Sequence, residues 1–442
     1  MTAQVIEADL TWTGTRFEPG IRIGIGGGGR IAAVGRLETP PSQRLARRAI
    51  LPGFVNAHSH GFQRALRGRG ERFPRGAGSF WTWRDAMYDL VALLDAETAR
   101  QAYVQAFSEM RDAGITTVGE FHYLRHAGDG LDYAFDRMVL EAAQTVGIRL
   151  ALLSVFYAAS GIGRPLGGAQ RRFRSEGLPG YWAQMDRLDQ LRDPRLQTLG
   201  VVAHSIRAVP LEEITALHAE AGRRGLRFHL HVEEQVGEIE ECMAAYGRRP
   251  MAALLDALAI GGNFTAVHCT HTDPNDMARF LAAGGTVCVC PLTEANLGDG
   301  LPLLDLVHAA GVLSLGTDSN ARIGFLEEMR WLEYGQRLRL GRRGILADEG
   351  GHVAARLLEA ATVGGAGAVG VEAGRIEVGR WADLVAIDLD SPCLAGVDAE
   401  HLLEGLLFGA DESAVWGTAV GGVWRRRGES VGSRPPATSA RE

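Results

Sequence analysis

Apolar positions along this chain follow two regimes. Between residues 50 and 317, short apolar runs alternate with longer stretches whose apolar residues recur every three to four positions. The runs at 50–57, 115–121, 148–156, 198–204, 226–232, 264–269, 285–290 and 313–317 are predicted strands. Helical spacing is predicted between most of them, as in Ala96–Ala113, Leu131–Val146, Leu211–Arg224, Asp273–Ala283 and Leu303–Ala310. Gly114, Gly284 and Gly311 sit just past three of these stretches, where a left-handed residue ends a helix. Eight strands alternating with helices predict an α/β fold, a (β/α)₈ barrel over residues 50–372.

The flanks read differently. Residues 1–49 show short alternating strands, as in Ile21–Gly26 and Ile31–Val34, with a glycine turn between them. That turn lacks the strand–GxGxxG–helix setting of a phosphate loop. After a helical region at 353–362, residues 373–425 return to β character, with a last strand at Val415–Val423. The two flanks are expected to pair into a small β-sandwich beside the barrel. The tail 426–442, rich in Pro, Ser and Arg, is expected to be disordered.

Composition narrows the chemistry. A net charge of −7 gives no footing for nucleic acid. No apolar run is long enough to span a membrane, and the first residues lack the features of a signal peptide. Five scattered cysteines point to a reducing cytoplasm rather than a disulfide framework. All 46 basic side chains are arginine. The absence of lysine excludes a Schiff-base lysine, a pyridoxal-phosphate enzyme, a Walker A loop and a lysine carbamate bridging two metals.

Ligands in such barrels come from the C-terminal ends of strands. The first predicted strand ends in His58-Ser-His60, whose side chains share a face because strand side chains alternate. Alone, this pair is either a metal-binding pair or two ordinary strand-end residues. Its company decides: Glu120-Phe-His122-Tyr123, His204-Ser-Ile-Arg207, His229-Leu-His231-Val-Glu-Glu234, His268 and Asp318 also lie at strand ends. Cys288-Val-Cys290 is assigned to strand packing, and the H-x-E with P-C-x-x-C pattern of cytidine deaminases is absent.

This constellation resembles the mononuclear branch of the amidohydrolase superfamily, over nearly the whole chain. The resemblance implies one Zn²⁺ per subunit on His58, His60, His231 and Asp318. His229 lies one layer deeper, where barrels pack their cores, and is the weaker ligand candidate. It also implies that His268 and Asp318 take up protons as water, activated by zinc toward a pKa of about 7, attacks a trigonal carbon. Glu234 would serve the departing nitrogen. Six strings sharpen the likeness: His58-Ser-His-Gly-Phe-Gln-Arg-Ala, Ser79-Phe-Trp-Thr-Trp-Arg84, Glu120–Tyr123, His204–Arg207, Thr293–Gly300 and Arg330–Arg337. Together they are similar to the N-formimino-L-glutamate deiminases of bacterial histidine degradation. That likeness implies Gln63, Arg84, Tyr123, His204 and Arg207 around a small dicarboxylate substrate, arginine forks being suited to carboxylates. The alternative within enzymes is an aminohydrolase of a purine or other N-heterocycle; outside them, a non-catalytic binding barrel. Phe80–Trp83 fits either a substrate-covering loop or a packed interface. Apolar surface there or on helix 326–340 would support a homodimer.

Overall fold

The structure is a computed structural model that describes residues 2–71, 78–307 and 312–430. The chain opens with β1 (Thr2–Trp12), β2 (Phe17–Glu18), β3 (Arg22–Gly26), β4 (Ile31–Gly35) and β5 (Gln43–Pro52). Eight barrel strands follow: β6 (Phe54–Ser59), β7 (Ile115–His122), β8 (Arg149–Phe156), β9 (Gln197–Ser205), β10 (Phe228–Val232), β11 (Phe264–His268), β12 (Thr286–Val289) and β13 (Leu313–Leu315). The chain then returns through β14 (Leu384–Asp388), β15 (Val415–Val420) and β16 (Val423–Arg426).

Strands β6 to β13 pair in sequence order, every ladder parallel. Parallel strands need crossovers, and helices such as Ala96–Asp112, Ala134–Val146 and Leu211–Arg223 supply them. Each buries a stripe, for example Ala99, Tyr103, Ala106 and Met110 on the first. The flanking segments form one mixed sheet in the order β16-β15-β14-β5-β1-β3-β4, over its own core of Ile6, Ile23, Ile25, Ile50 and Leu384. The fold is therefore the (β/α)₈ barrel with a second, mixed sheet built from both chain ends. Among the described residues no helix is long and apolar enough to cross a membrane.

Several sequence expectations need correction. The apolar run 50–57 is two strands in two different sheets, β5 and β6, divided at Gly53. A Cβ at Gly53 would lie 2.2 Å from Thr116 Oγ1, so only glycine passes there. Phe80–Trp83 is neither loop nor turn; it begins the helix Phe80–Leu93, which Ser79 and Thr82 close with a reciprocal capping box. Of the predicted helix Leu303–Ala310 only a 3₁₀ turn, Leu304–Leu306, is seen; residues 308–311, with the Gly311 cap, lie outside the described residues. Of the tail expected from 426, Arg426 ends β16, and 431–442 lie outside the described residues.

The barrel closes between its first and last strands without a ladder. β13 has only three residues. Beyond it, the amides of Thr317 and Asp318 both donate to His58 O at 3.0 Å, and His60 N donates to Asp318 O at 2.9 Å. A buried side-chain chain reinforces the seam. Asn56 Nδ2 donates to Thr317 Oγ1 (2.7 Å) and Thr317 N donates to Asn56 Oδ1 (3.0 Å). Thr317 Oγ1 donates to Asn320 Oδ1 (2.7 Å), whose Nδ2 donates to Ser59 Oγ (3.0 Å). Below the seam, helical residues 353–369 plug the barrel floor. There a Cβ at Gly364 would meet Leu313 O at 1.9 Å.

Removing the Asn56 amide strands buried partners in Thr317. Asn56→Leu should lower stability by about 2–4 kcal/mol, the cost of two unsatisfied buried groups. Urea unfolding followed by circular dichroism measures this; an unchanged midpoint would reject the seam's role.

Candidate active site

Four side chains converge where the seam meets the strand ends. His58 and His60 leave β6 on one face, His231 comes from β10 and Asp318 from the turn after β13. His58 Nε2 lies 3.1 Å from His231 Nε2 and 3.3 Å from Asp318 Oδ1, and His60 Nε2 is 3.1 Å from that same oxygen. Donors around a tetrahedral ion with bonds of about 2.0 Å stand roughly 3.3 Å apart, so this spacing suits one ion. All four residues are buried.

Their electrostatics fit a cation as well. Burial pushes the His58 imidazole down to about 3, with His60 adding to the effect and Asp318 opposing it. Burial and the neighbouring His204 and His58 hold His231 well below its ordinary value. Burial would raise Asp318, but the facing His58 and His60 rings hold it well below the usual carboxylate range. Neutral His58 and His231 beside an ionised Asp318 are the protonation states a divalent metal needs. His60 Nδ1 donates to Phe121 O at 3.0 Å, which fixes its tautomer and frees Nε2. His229 instead points to the floor, where its Nε2 donates to Ala368 O at 2.9 Å.

His268 ends β11 beside this cluster. Its Nε2 is 3.6 Å from Glu234 Oε1 and 3.9 Å from Asp318 Oδ2. Burial opposes protonation of His268, yet Glu234, Glu294 and Asp318 together raise its pKa well above the ordinary value; a divalent ion held by Asp318 would oppose that pull and favour the neutral ring. Burial also raises Glu234. The backbone here is unusual. Glu233, His268, Cys269, Asp318 and Asn320 all have positive φ, between 44° and 73°. Such conformations cost of order 1–3 kcal/mol each where the side chain is not glycine, and they gather at sites whose geometry is over-determined.

Above the cluster opens a pocket lined by Gln63, Arg84, Tyr123, His204 and Arg207 together with His60, His231, Glu234, His268 and Asp318. Every sequence-selected site residue except His58 lines it, and His58 sits directly beneath. Gln63 Nε2 donates to Tyr123 OH at 2.6 Å, while its buried Oε1 is left without a partner. Arg84 and Arg207 flank Trp81, their guanidinium carbons 4.4 and 5.8 Å from its ring centre. The Nε atoms of both are buried and make no hydrogen bond; Glu238, the nearest carboxylate to Arg207, is 3.8 Å away. Burial, then Arg207, holds His204 well below its ordinary value, so it meets ligands as a neutral ring.

Sequence reasoning passed over several residues here. Tyr88, Tyr157 and Phe173 add aromatic wall. Glu294 reaches His268 Nδ1 at 3.3 Å. Glu120 lies under the pocket, accepting from Gly61 N at 2.7 Å. The strings Glu120–Tyr123 and Thr293–Gly300 contained two of these carboxylates, and only their fully buried setting distinguishes them.

The geometry carries two predictions. Elemental analysis should find one divalent ion per chain in the wild type and in His229→Asn, and little in His58→Ala or His231→Ala. Equal loss in His229→Asn would reject this cluster as the site. Separately, burial pushes the Glu120 carboxyl up to about 8 from 4.5, against the Gly61 hydrogen bond. The folded chain then binds a proton that the unfolded chain releases, so stability falls as pH rises from 4.5 through about 8. Glu120→Gln should flatten that decline in thermal melts between pH 5 and 9; an unchanged slope refutes it.

Comparisons with known proteins agree with this arrangement. The Amidohydrolase family profile matches residues 49–424. A formimidoylglutamate deiminase from Pseudomonas aeruginosa is 40% identical over 401 residues, 87% of each chain. An isoxanthopterin deaminase from an unknown prokaryote is 30% identical, covering 84% of this chain and 80% of its own. Among solved structures, an amidohydrolase from Brucella melitensis superposes with a TM-score of 0.85 at 34% identity, over 95% of this chain and 94% of that one. An adenosine deaminase from Xanthomonas campestris with bound zinc gives 0.81 at 25%, over 96% and 93%. The chain belongs to the amidohydrolase family and is a hydrolase of carbon–nitrogen bonds.

Proposed function

We propose that this enzyme hydrolyses N-formimino-L-glutamate to N-formyl-L-glutamate and ammonia, in histidine degradation. The observation that carries this reading is the polarity of the pocket. Two guanidiniums whose buried Nε atoms make no hydrogen bond face one end, and a cluster of imidazoles and carboxylates faces the other. A substrate with carboxylates and a cationic formimino group has matching polarity. The 40% identical deiminase supports the same substrate.

His58, His60, His231 and Asp318 would hold one Zn²⁺, the metal named for the Xanthomonas neighbour. When bound, the ion would supply Lewis acidity and generate a nucleophile from water near neutral pH. The side chains do the rest. Arg84, Arg207 and Tyr123 bind the carboxylates, and neutral His204 packs beside them. Gln63, held by Tyr123, presents its free Oε1 to the formimino N–H. His268 Nε2 and Asp318 take protons from the attacking water. Glu234 passes a proton to the formimino nitrogen as its bond to carbon breaks. Water supplies the formyl oxygen and two protons; one completes the leaving NH₃ and the other carries the substrate's positive charge, so ammonium is the net nitrogen product and the reaction balances. Five free cysteines support a cytoplasmic setting. Leu338, 75% exposed on the helix Phe325–Leu340, supports a homodimer, which light scattering would test.

The reading is tested by incubating the zinc-loaded enzyme with N-formimino-L-glutamate and identifying both products. Ammonia with N-formyl-L-glutamate is expected; formamide with glutamate would overturn the deiminase assignment. Arg84→Met and Arg207→Met should each lower kcat/KM about 10–100-fold, the worth of a hydrogen bond between charged groups. They should leave any turnover of a neutral pterin or purine nearly unchanged. Equal losses on both substrate types would favour a heterocycle aminohydrolase.

A further inference from the structure

Glu294 is a fully buried carboxylate that the reaction above does not use. It lies in the first turn of the helix Pro291–Leu297, which follows β12, the strand paired with β11 that ends in His268. Its Oε1 accepts from Cys290 N at 3.0 Å and faces His268 Nδ1 at 3.3 Å. Its Oε2 is buried without a partner. Apart from the Cys290 amide, the imidazole is the one polar side chain bonded to this carboxylate among the described residues. His268 itself is turned by a strained backbone, with φ +73° followed by +55° at Cys269. The ring thus has two occupied edges: Nδ1 against Glu294, and Nε2 toward Glu234 and Asp318.

We propose that Glu294 is a positioning residue for hydrolysis, holding His268 by an Nδ1–H hydrogen bond so that the lone pair of Nε2 faces the reacting atoms. A neutral imidazole has one N–H, and the partner at one nitrogen decides which nitrogen is left as acceptor. An ionised Glu294 can only accept, so it selects the tautomer with Nδ1 protonated. Among the described residues no other carboxylate is within ion-pair distance of that nitrogen. Glu234 and Asp318 stand on the opposite edge, where they would favour the wrong tautomer if Glu294 were neutral or absent. The carboxylate also fixes the ring plane, because the Cys290 amide anchors it from a different strand end.

The proposal rests on His268 as the proton acceptor, and the test separates the two ideas. Four zinc-loaded enzymes are compared by ammonia release: wild type, His268→Ala, Glu294→Gln and the double variant. Glu294→Gln should lower kcat roughly 10- to 100-fold, the usual loss for an outer partner of a working imidazole. KM and metal content should hold within about twofold, because carboxylate-binding groups and metal ligands are untouched. The double variant should be no slower than His268→Ala alone, since Glu294 acts only through the ring. Independent losses that multiply, or a Glu294→Gln enzyme with wild-type kcat, would overturn the proposal. Wild-type activity in His268→Ala would instead overturn the role of His268. A readout free of turnover is the ¹⁵N spectrum of labelled histidine. The His268 ring, assigned by its loss in His268→Ala, should be Nδ1-protonated in the wild type and mixed or reversed in Glu294→Gln. An unchanged tautomer in Glu294→Gln would also overturn it.

Discussion

The constraint on which the molecule turns is the closing of a parallel barrel with an eighth strand only three residues long. A ladder so short cannot hold β6, so the chain just past β13 grips it by main-chain bonds from Thr317 and Asp318 to His58 and from His60 to Asp318. Three of the four residues of the candidate cation site, His58, His60 and Asp318, are thus also residues that close the barrel. Their side chains are aligned by the same hydrogen bonds that complete the cylinder. The positive φ of Asp318 and Asn320 belongs to this closure, since the turn must reverse sharply while its amides face β6. The Asn56–Thr317–Asn320–Ser59 chain beneath spreads that strain over buried hydrogen bonds. Stability and site geometry are therefore one problem at this seam, and the energy released by fold closure supports a backbone that an isolated turn would not adopt.

Much of this was legible from residue order, for identifiable reasons. Parallel strands buried on both faces are written as continuous apolar runs, so all eight stood out. Strand-end histidines and carboxylates were visible because a barrel delivers such ends to one rim. What failed was anything requiring a partner from afar. Ile50 to Ala57 is one apolar run, yet it serves two sheets. Burial alone does not reveal which sheet a residue enters, and the only local mark was Gly53. The two residues after β13, Gly316 and Thr317, read as strand because they are as buried as strand residues, but only Gly316 N still bonds to β12, at Val289 O, while Thr317 N turns to His58 O of β6. Ser79-x-x-Thr82 is a helix start that the neighbouring tryptophans disguised. Glu294 was quoted within a string but given no role. Its target lies 26 residues away on another strand end, a distance at which spacing carries no information.

The lysine-free composition acquires a structural sense at the pocket. Arginine cannot shed its proton on burial, whereas a buried lysine readily does. Two buried guanidinium Nε atoms thus keep one end of the cavity positive whatever the dielectric around them. At the other end the carboxyls behave in the opposite way. Burial lifts Glu234 and Glu294, so the negative charge there depends on what cation or proton is present. The cavity therefore has a fixed positive pole and an adjustable negative one. A ligand whose anionic groups stand at a set distance from a cationic, hydrolysable carbon–nitrogen bond is oriented by the fixed pole first. Its reactive end then meets groups whose protonation can change during the reaction. A neutral heterocycle would engage the aromatic walls but leave the buried Nε atoms of Arg84 and Arg207 without hydrogen bonds. That penalty falls on binding rather than on chemistry, so it separates substrate classes before any bond is broken.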